Sequence, residues 1–455
     1  MNNFDLFNKS GNTKLIHCNI HGPIRLSPVV LQIINTPEFQ RLRDIKQLSC
    51  VYLVYPSATH TRYEHSLGVY YLARHMMERI RKSYPHRKFN IPILGGEIEL
   101  DNFVEEMVVI AGLCHDIGHG PFAHTFDDIF LKSIDKTGKS DEFIKMCKHE
   151  NRSCKIIEEI IKRELSDIFE QKHIDFIKSL IHPSENDTGA IYQIISNSLN
   201  GIDVDKFDYL VRDSHNIGIP QGVDIRKIMY EFIIDENNNI CYPKHCSRDI
   251  YMLFNHRYMM HRTVYTHKTA KIIEHMILDI LNVIEKIFNI SESITNMQEF
   301  CRLTDHSIMH MIDMHHLKNF SNLLTEDQIE LIEKANQLLT DLRYRNLYKQ
   351  VSDVSYGVDG SEEMINEFFN NHPEFDKKDF HIIKYKIGLV SGNQPDPFCN
   401  IFFYDRKEDP KTFTMERTSI SPLISKEFQE NVCFFICKNH AVYQIAKNAW
   451  SAYSS

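Results

Sequence analysis

The sequence predicts a mainly α-helical protein with a small C-terminal α+β lobe. Three observations carry this. Apolar residues recur at helical spacing through most of the first 350 residues. The stretch from Asp249 to about Ile287 contains no Gly or Pro. From about Val354 onward, Gly357, Gly360, Gly392 and a Pro395-Asp396-Pro397 turn separate short β-like runs. With 455 residues the chain exceeds one typical domain. Residues 1–350 are therefore expected to form the core and 351–455 the lobe.

In chain order, Leu67, Tyr71, Leu72, Met76 and Ile80 mark a helix that follows His65. The run IPILGGEIEL predicts a hairpin around Gly95-Gly96. Asn102 and Glu105 are spaced as a capping box, opening an apolar helix from Phe103 to Cys114. That helix delivers His115 and Asp116 at its end, and Gly118, Gly120 and Pro121 stop it. Gly201 precedes a helix over Asp203–Asp213, and one long helical run is expected over Asp249–Ile287. In the lobe, FHIIKYKI, NIFFYD and NVCFFICK are expected strands, and Ala441–Tyr453 a final helix.

Composition narrows the function classes. Hydrophobic residues make up 42% and charged residues 25%, ordinary for a globular protein. No run of about 18 apolar residues is present, so no membrane span or membrane partner is expected. The start, MNNFDLFNKSGNTK, lacks an apolar signal region, and eleven cysteines occur without a CxxC pair. A cytoplasmic or nuclear, non-secreted protein with reduced thiols is expected. A net charge of −9 argues against nucleic acid as the primary partner. Histidine is abundant, with 25 copies, many between His60 and His149.

Adjacent His and Asp are weak as a signal when alone, because a capped helix end with a solvated acid looks the same. Context strengthens His115-Asp116. An apolar helix ends in two metal-competent ligands, glycines follow, and His119 and His124 lie within nine residues. His65 and Asp205 come from two other helices. Imidazoles and carboxylates from three helices suit a divalent cation with open positions for water. A second cluster places Asp205, Tyr209 and Asp213 at i, i+4, i+8, with Lys206 beside them. A third repeats that spacing in Arg257, His261 and Tyr265, followed by His267 and Lys268. Each of these two, taken singly, reads better as a polar helix face.

Together the strings resemble one family. TRYEHSLGV (Thr61–Val69), LCHDIGHGPFAHTFD (Leu113–Asp127), GIDVDKFDYLVRD (Gly201–Asp213), HRTVYTHK (His261–Lys268) and TPEFQRLRDIKQL (Thr36–Leu48) are similar to the SAM- and HD-domain deoxynucleoside triphosphate triphosphohydrolases, in the family's order. YRNLYK (Tyr344–Lys349) extends the likeness into the lobe. The resemblance starts at the catalytic core, so no sterile-alpha-motif domain is expected, and the fold it implies is an HD-domain helical core.

The resemblance implies these roles. His65, His115, Asp116 and Asp205 hold a divalent metal, iron or zinc, and magnesium accompanies the substrate phosphates. Hydroxide activated by the metal attacks the α-phosphorus of a deoxynucleoside triphosphate, releasing deoxynucleoside and inorganic triphosphate. His119, His124 and His149 serve phosphate binding and catalysis. His124 protonates the departing 5′-oxygen, with Asp127 as its orienting acid. Arg62, Lys206 and Arg257 bind phosphates, Gln47 and Asp213 read the 3′-hydroxyl, and Leu48 and Tyr265 exclude a 2′-hydroxyl. Tyr209 and His261 complete the substrate set. Lys14, Leu15, Asn35, Gln40, Arg43, Arg345, Lys349, His267 and Lys268 match positions for activator nucleotides such as GTP, bound between subunits of a dimer or tetramer. Asn35 replaces the family's Asp there, which changes the donors and acceptors offered to a guanine edge. The competing readings are another HD phosphohydrolase or phosphodiesterase, and a non-catalytic nucleotide- or nucleic-acid-binding protein.

Overall fold

The computed structural model describes residues 13–314, 323–352, 361–390, 395–405 and 411–453. Val354, Gly357, Gly360 and Gly392, which mark the lobe's texture in the sequence, lie outside them. The chain divides into two compact units. The first comprises 1–256, 290–308 and 397–421, and the second 257–289, 309–396 and 422–455.

The first unit is mainly helical. A hairpin of β1 (Lys14–Cys18) and β2 (Gly22–Leu26) leads into α1 (Pro28–Ile34). The side chain of Ser27 caps α1, and Pro28 supplies the fixed φ that suits a first helical turn. The central pair is α2 (Arg62–Ser83) and α3 (Asn102–Cys114), joined by the hairpin of β3 (Lys88–Ile91) and β4 (Gly96–Glu99). That hairpin turns at Gly95-Gly96, both at positive φ, as the sequence leads one to expect. Behind them pack α4 (His149–Glu164), α5 (Gln171–Ile181) and α6 (Val204–Ile217). Helix α3 is buried over nearly its whole length, which explains its continuous apolar run.

The start of α3 differs from expectation in one detail. Its cap is Asp101, whose carboxylate accepts from the Val104 amide at 2.8 Å. Glu105 turns instead to Arg81 across the α2–α3 contact at 2.5 Å. Asp101 is as good a cap as Asn102, and the long-range ion pair decides between the two registers.

The expected single run over Asp249–Ile287 is broken into three. Helix α7 (Ser247–Met260) passes into a π-helical turn, His261–Tyr265, and α8 (Lys268–Phe288) then begins afresh. No Gly or Pro causes the break. The Thr266 amide and hydroxyl both donate to the His261 carbonyl, at 3.0 and 2.6 Å. The His267 ring accepts from the Thr269 amide at 3.2 Å, capping α8 from a non-helical position. Helix α8 ends at Asn289 in the left-handed conformation, φ 48°.

The second unit holds α8, α9 (Glu326–Arg343) and a three-stranded sheet in the order β7-β10-β8. Its strands are β7 (Lys349–Ser352), β8 (Phe380–Gly388) and β10 (Gln429–Cys437), all antiparallel. Helices α10 (Ser361–Asn371) and α11 (His440–Tyr453) complete it. The strand from NIFFYD, β9 (Phe402–Tyr404), joins a different sheet. It pairs parallel with β6 (Ile240–Pro243), which pairs in turn with β5 (Ile233–Ile234), all within the first unit. An apolar triplet specifies a strand but not its partner.

The sheet-bearing unit has an aromatic core of Phe368, Phe369, Phe375, Phe380, Phe435 and Trp450. Phe368 sits at its centre, fully buried, with ring centroids of Phe375, Phe435 and Trp450 within 5.9 Å. Phe368→Ala is expected to cost about 3–5 kcal/mol, because the cavity cannot collapse among rigid rings. Denaturant unfolding checks this, and a loss below about 1 kcal/mol would contradict the central role assigned to this ring.

Candidate functional site

Three helices of the first unit converge on one group of ligand atoms. Helix α2 is opened by a capping box, in which Glu64 accepts from the Thr61 amide at 2.6 Å, and one turn later it presents His65. Helix α3 ends into His115 and Asp116, and α6, capped by Asp203, presents Asp205. The His65 Nε2 lies 3.1 Å from Asp205 Oδ1 and 3.6 Å from Asp116 Oδ2. The His115 Nε2 lies 3.5 Å from both Asp205 Oδ1 and Asp116 Oδ1.

These spacings suit a divalent cation. Ligands about 2.0–2.2 Å from a common ion stand roughly 3–3.6 Å from each other. Both imidazoles are pre-oriented by their other nitrogen. His115 Nδ1 donates to the Gly112 carbonyl at 2.8 Å, and His65 Nδ1 to Asp208 at 2.8 Å. Their Nε2 atoms are buried and face the Asp116 and Asp205 carboxylates without well-formed hydrogen-bond geometry among the described residues, an arrangement that a bound cation would complete. The electrostatics agree. Burial alone would depress the His65 imidazole, but the Asp205 and Asp208 carboxylates raise it to about 10. A pocket that so favours positive charge on a buried imidazole also favours a cation. His65, His115, Asp116 and Asp205 therefore fit the metal that their residue types imply. Three of them are largely buried, while the Asp205 side chain is 37% exposed.

A group of histidines adjoins this centre. His119 Nε2 lies 3.3 Å from Asp116 Oδ1, and its ring stacks on His149 with centroids 3.9 Å apart. His124 meets both edge-on, at 5.2 and 6.4 Å. Asp116, His119 and His149 are themselves spaced as a possible cation site. Burial, and then the neighbouring His119, push His149 well below the usual imidazole range, so it is neutral.

One expected pairing is corrected here. Asp127 does not orient His124. Its carboxylate accepts from His119 Nδ1 at 2.6 Å and pairs with the fully buried Arg152. The partner of His124 is Asp128, at 2.9 Å, on the exposed side. A π-helical turn over Thr125–Phe130 explains the swap. Wider winding carries Asp127 inward to His119 and brings Asp128 to the ring one turn after His124.

Other expected site residues divide between the two units. Arg62 is buried and pairs with Asp116, while its Nε has no hydrogen-bond partner among the described residues. Gln47 is also buried, with its side-chain carbonyl unpartnered in the same sense. Leu48 is half-buried beside it. Asp213 accepts from His60 at 2.8 Å, Lys206 reaches toward Asp203 at 3.9 Å, and Tyr209 is half-buried on α6. Arg257, His261 and Tyr265 belong to the second unit. There Arg257 donates to the carbonyls of Gly388 and Val390 at 2.6 and 3.2 Å, and the rings of His261 and Tyr265 meet edge-on at 4.9 Å.

Of the expected activator positions, the structure brings Asn35, Gln40 and Arg43 together. Asn35 ends α1, Gln40 donates to the adjacent Ile34 carbonyl at 2.7 Å, and Arg43 donates to Gln40 at 2.8 Å. Arg43 also stacks on Tyr63, 3.6 Å from the ring centre. Lys14 and Leu15 are exposed on β1. His267, Lys268, Arg345 and Lys349 lie in the second unit.

Several residues that matter here carry no signal of their own in the sequence. Asp208 is fully buried and accepts from His65, from His21 at 2.6 Å, and from Arg212 at 2.7 and 2.9 Å. Gly68 makes room for it, since a Cβ there would fall 1.9 Å from Asp208 Oδ1. Gly118 likewise lets its turn pass close to α4, since a Cβ there would fall 2.3 Å from the His149 carbonyl oxygen. Asp208 stands inside the GIDVDKFDYLVRD string, at i+3 from Asp205, so its spacing was available but its partner on α2 was not.

Comparison with known proteins agrees with this geometry. The HD domain family matches residues 62–213, the segment that contributes all four proposed metal ligands. A protein named for its HD domain, L394 of Acanthamoeba polyphaga mimivirus, is 47% identical over 96% of this chain and 94% of its own length. The deoxynucleoside triphosphate triphosphohydrolase SAMHD1 homolog of Dictyostelium discoideum is 32% identical, covering 94% of this chain and 78% of its own. Homo sapiens SAMHD1, named for the same activity, is 30% identical over 93% and 70%. The chain therefore belongs to the HD-domain family of SAMHD1-type deoxynucleoside triphosphate triphosphohydrolases.

Proposed function

We propose that this protein hydrolyses deoxynucleoside triphosphates to deoxynucleoside and inorganic triphosphate. The observation that carries this reading is the four-ligand centre, in which two buried imidazole nitrogens face two carboxylates at cation-ligand spacing, bordered by a separate histidine group and by basic residues. When bound, a divalent cation, iron or zinc, supplies Lewis-acid chemistry, polarising a phosphoryl oxygen and lowering the pKa of water. Magnesium is expected to travel with the substrate phosphates.

The chain's own residues do the rest. Arg62 and Lys206 bind phosphate oxygens. His119, locked by Asp127, and the neutral His149 offer ring nitrogens to the phosphoryl group. His124 gives its proton to the departing 5′-oxygen, a general-acid role that suits an imidazole near neutral pH. Gln47 and Asp213 take the 3′-hydroxyl, and the unpartnered Gln47 carbonyl supports this. Product separation tests the reaction: wild type should yield deoxynucleoside and intact triphosphate, and His115→Ala should lose at least about a hundredfold in rate together with its metal. Release of pyrophosphate or single phosphates would instead favour another HD phosphohydrolase.

Leu48 and, separately, Tyr265 are each proposed to exclude a 2′-hydroxyl. Steric rejection is effective because a clash penalises the wrong sugar directly. Tyr265→Ala is expected to raise the ratio of ribonucleotide to deoxynucleotide turnover about tenfold. An unchanged ratio would remove Tyr265 from the gate.

Regulation is proposed at the Asn35, Gln40 and Arg43 corner, in an oligomer whose activity depends on GTP less strictly than an aspartate at position 35 would impose. Asn35→Asp restores a carboxylate opposite a guanine edge, a charge-assisted contact. Rate and mass distribution with GTP, ATP or no activator check this. The GTP response should grow in the variant. Strict GTP dependence in wild type, unaltered by the substitution, would make Asn35 a neutral replacement.

A further inference from the structure

Two short segments run side by side at the edge of the histidine group. One is 46–49, which carries Gln47 and Leu48. The other is 122–125, which carries His124. They are fastened at both ends. At one end the Asp305 carboxylate accepts from the Phe122 amide at 2.6 Å and from the Lys46 amide at 2.9 Å. At the other the hydroxyls of Ser49 and Thr125 meet at 3.0 Å. Asp305 comes from a distant part of the chain and is buried.

The second segment needs such an anchor. Phe122 and Ala123 both have positive φ, 59° and 48°, a region that side chains with a Cβ disfavour. Two consecutive non-glycine residues hold it only where their surroundings impose it. The preceding turn is fixed by arginines: Arg41 donates to the His119 and Ile117 carbonyls at 2.7 and 3.4 Å, and Arg152 to Gly118 at 2.8 Å. Those bonds end at His119. Between His119 and His124, Asp305 supplies the hydrogen bond that holds Phe122 from outside the turn. The first segment is likewise tied to α2, since Gln47 donates to the His60 carbonyl and Arg62 to Ile45, both at 3.0 Å.

We propose that Asp305 is a positioning residue: by holding the Phe122 and Lys46 amides with one carboxylate, it sets His124 against both His119 and the Gln47-Leu48 wall. It touches no reacting atom. The proposal rests on the triphosphohydrolase reading only for the identity of the substrate. Asparagine cannot replace the carboxylate, because its amide group would present N–H to one of the two N–H donors.

The test uses the full chain and whichever nucleotide the wild type turns over, so that a wrong substrate assignment shows in the wild-type products and not in the comparison. Asp305→Asn should keep its metal content and raise KM less than about threefold, yet lower kcat per bound metal by ten- to a hundredfold. Adding Ala123→Gly should recover part of that kcat, because glycine adopts the positive φ without an anchor. A merely structural aspartate would lower the melting temperature and the active fraction, leave kcat per bound metal unchanged, and gain nothing in kcat from the glycine. Either a kcat per bound metal within threefold of wild type or an absence of rescue overturns the proposal. If Asp305→Asn does not fold, Asp305→Glu carries the same expectations, since it keeps the charge but moves the oxygens by one methylene.

Discussion

The carboxylate of Asp208 is the point on which the candidate metal centre rests. It is fully buried, and taking a charge out of water costs several kcal/mol unless partners replace the lost hydration. Burial alone would push this carboxyl up. The Arg212 guanidinium and the His21 and His65 imidazoles outweigh that and hold it well below the usual carboxylate range. Both oxygens are used twice, by Arg212 and by one imidazole each. The arrangement fixes which His65 nitrogen carries a proton and so which one faces Asp116 and Asp205. It also ties the N-terminal hairpin, through His21, to α2 and α6. Loss of Asp208 would leave Arg212 buried without its counter-charge, so the orientation of His65 and the fold around it are held by one group.

A second buried ion pair repeats this logic on the other side of the centre. Asp127 joins Arg152 to His119, and Arg152 joins in turn the Gly118 carbonyl. Arg152 and Arg41 both lie over the Phe300 ring, at 5.0 and 4.7 Å. The glycines of the HDIGHG stretch allow this crowding. The histidines are thus presented by a turn whose carbonyls are consumed by arginines, and little of its backbone is free to move.

Much of this was legible in the sequence. Helices α2, α3 and α6, the hairpin at Gly95-Gly96 and the lobe strands at 380–388 and 429–437 follow from period, caps and turn residues. The four metal-ligand candidates could be named because each ends or opens a helix beside other ligand types. What could not be read was pairing across the fold. Asp208 looks like one acid among several on α6, and only the approach of α2 at Gly68 makes it the partner of His65. Asp127 and Asp128 are equivalent as neighbours of His124, and local winding chooses between them. The strand at 402–404 has the right residues for the lobe, but its hydrogen bonds go to β6. Single-sequence periodicity contains no information on such choices.

The two π-helical turns have a consequence for how this chain tolerates insertion and deletion. A π turn holds one residue more than the α-helical turn it replaces, and each residue advances a helix by about 100°. Removing one residue from 125–130 would change the composition hardly at all and would leave a regular helix. It would also rotate everything on one side of the deletion by that angle, turning Asp127 or its neighbours away from His119. The same holds at 261–265 for the phase between Arg257 on α7 and the residues of α8. At these two places chain length, as well as side-chain identity, sets which residues face the same way.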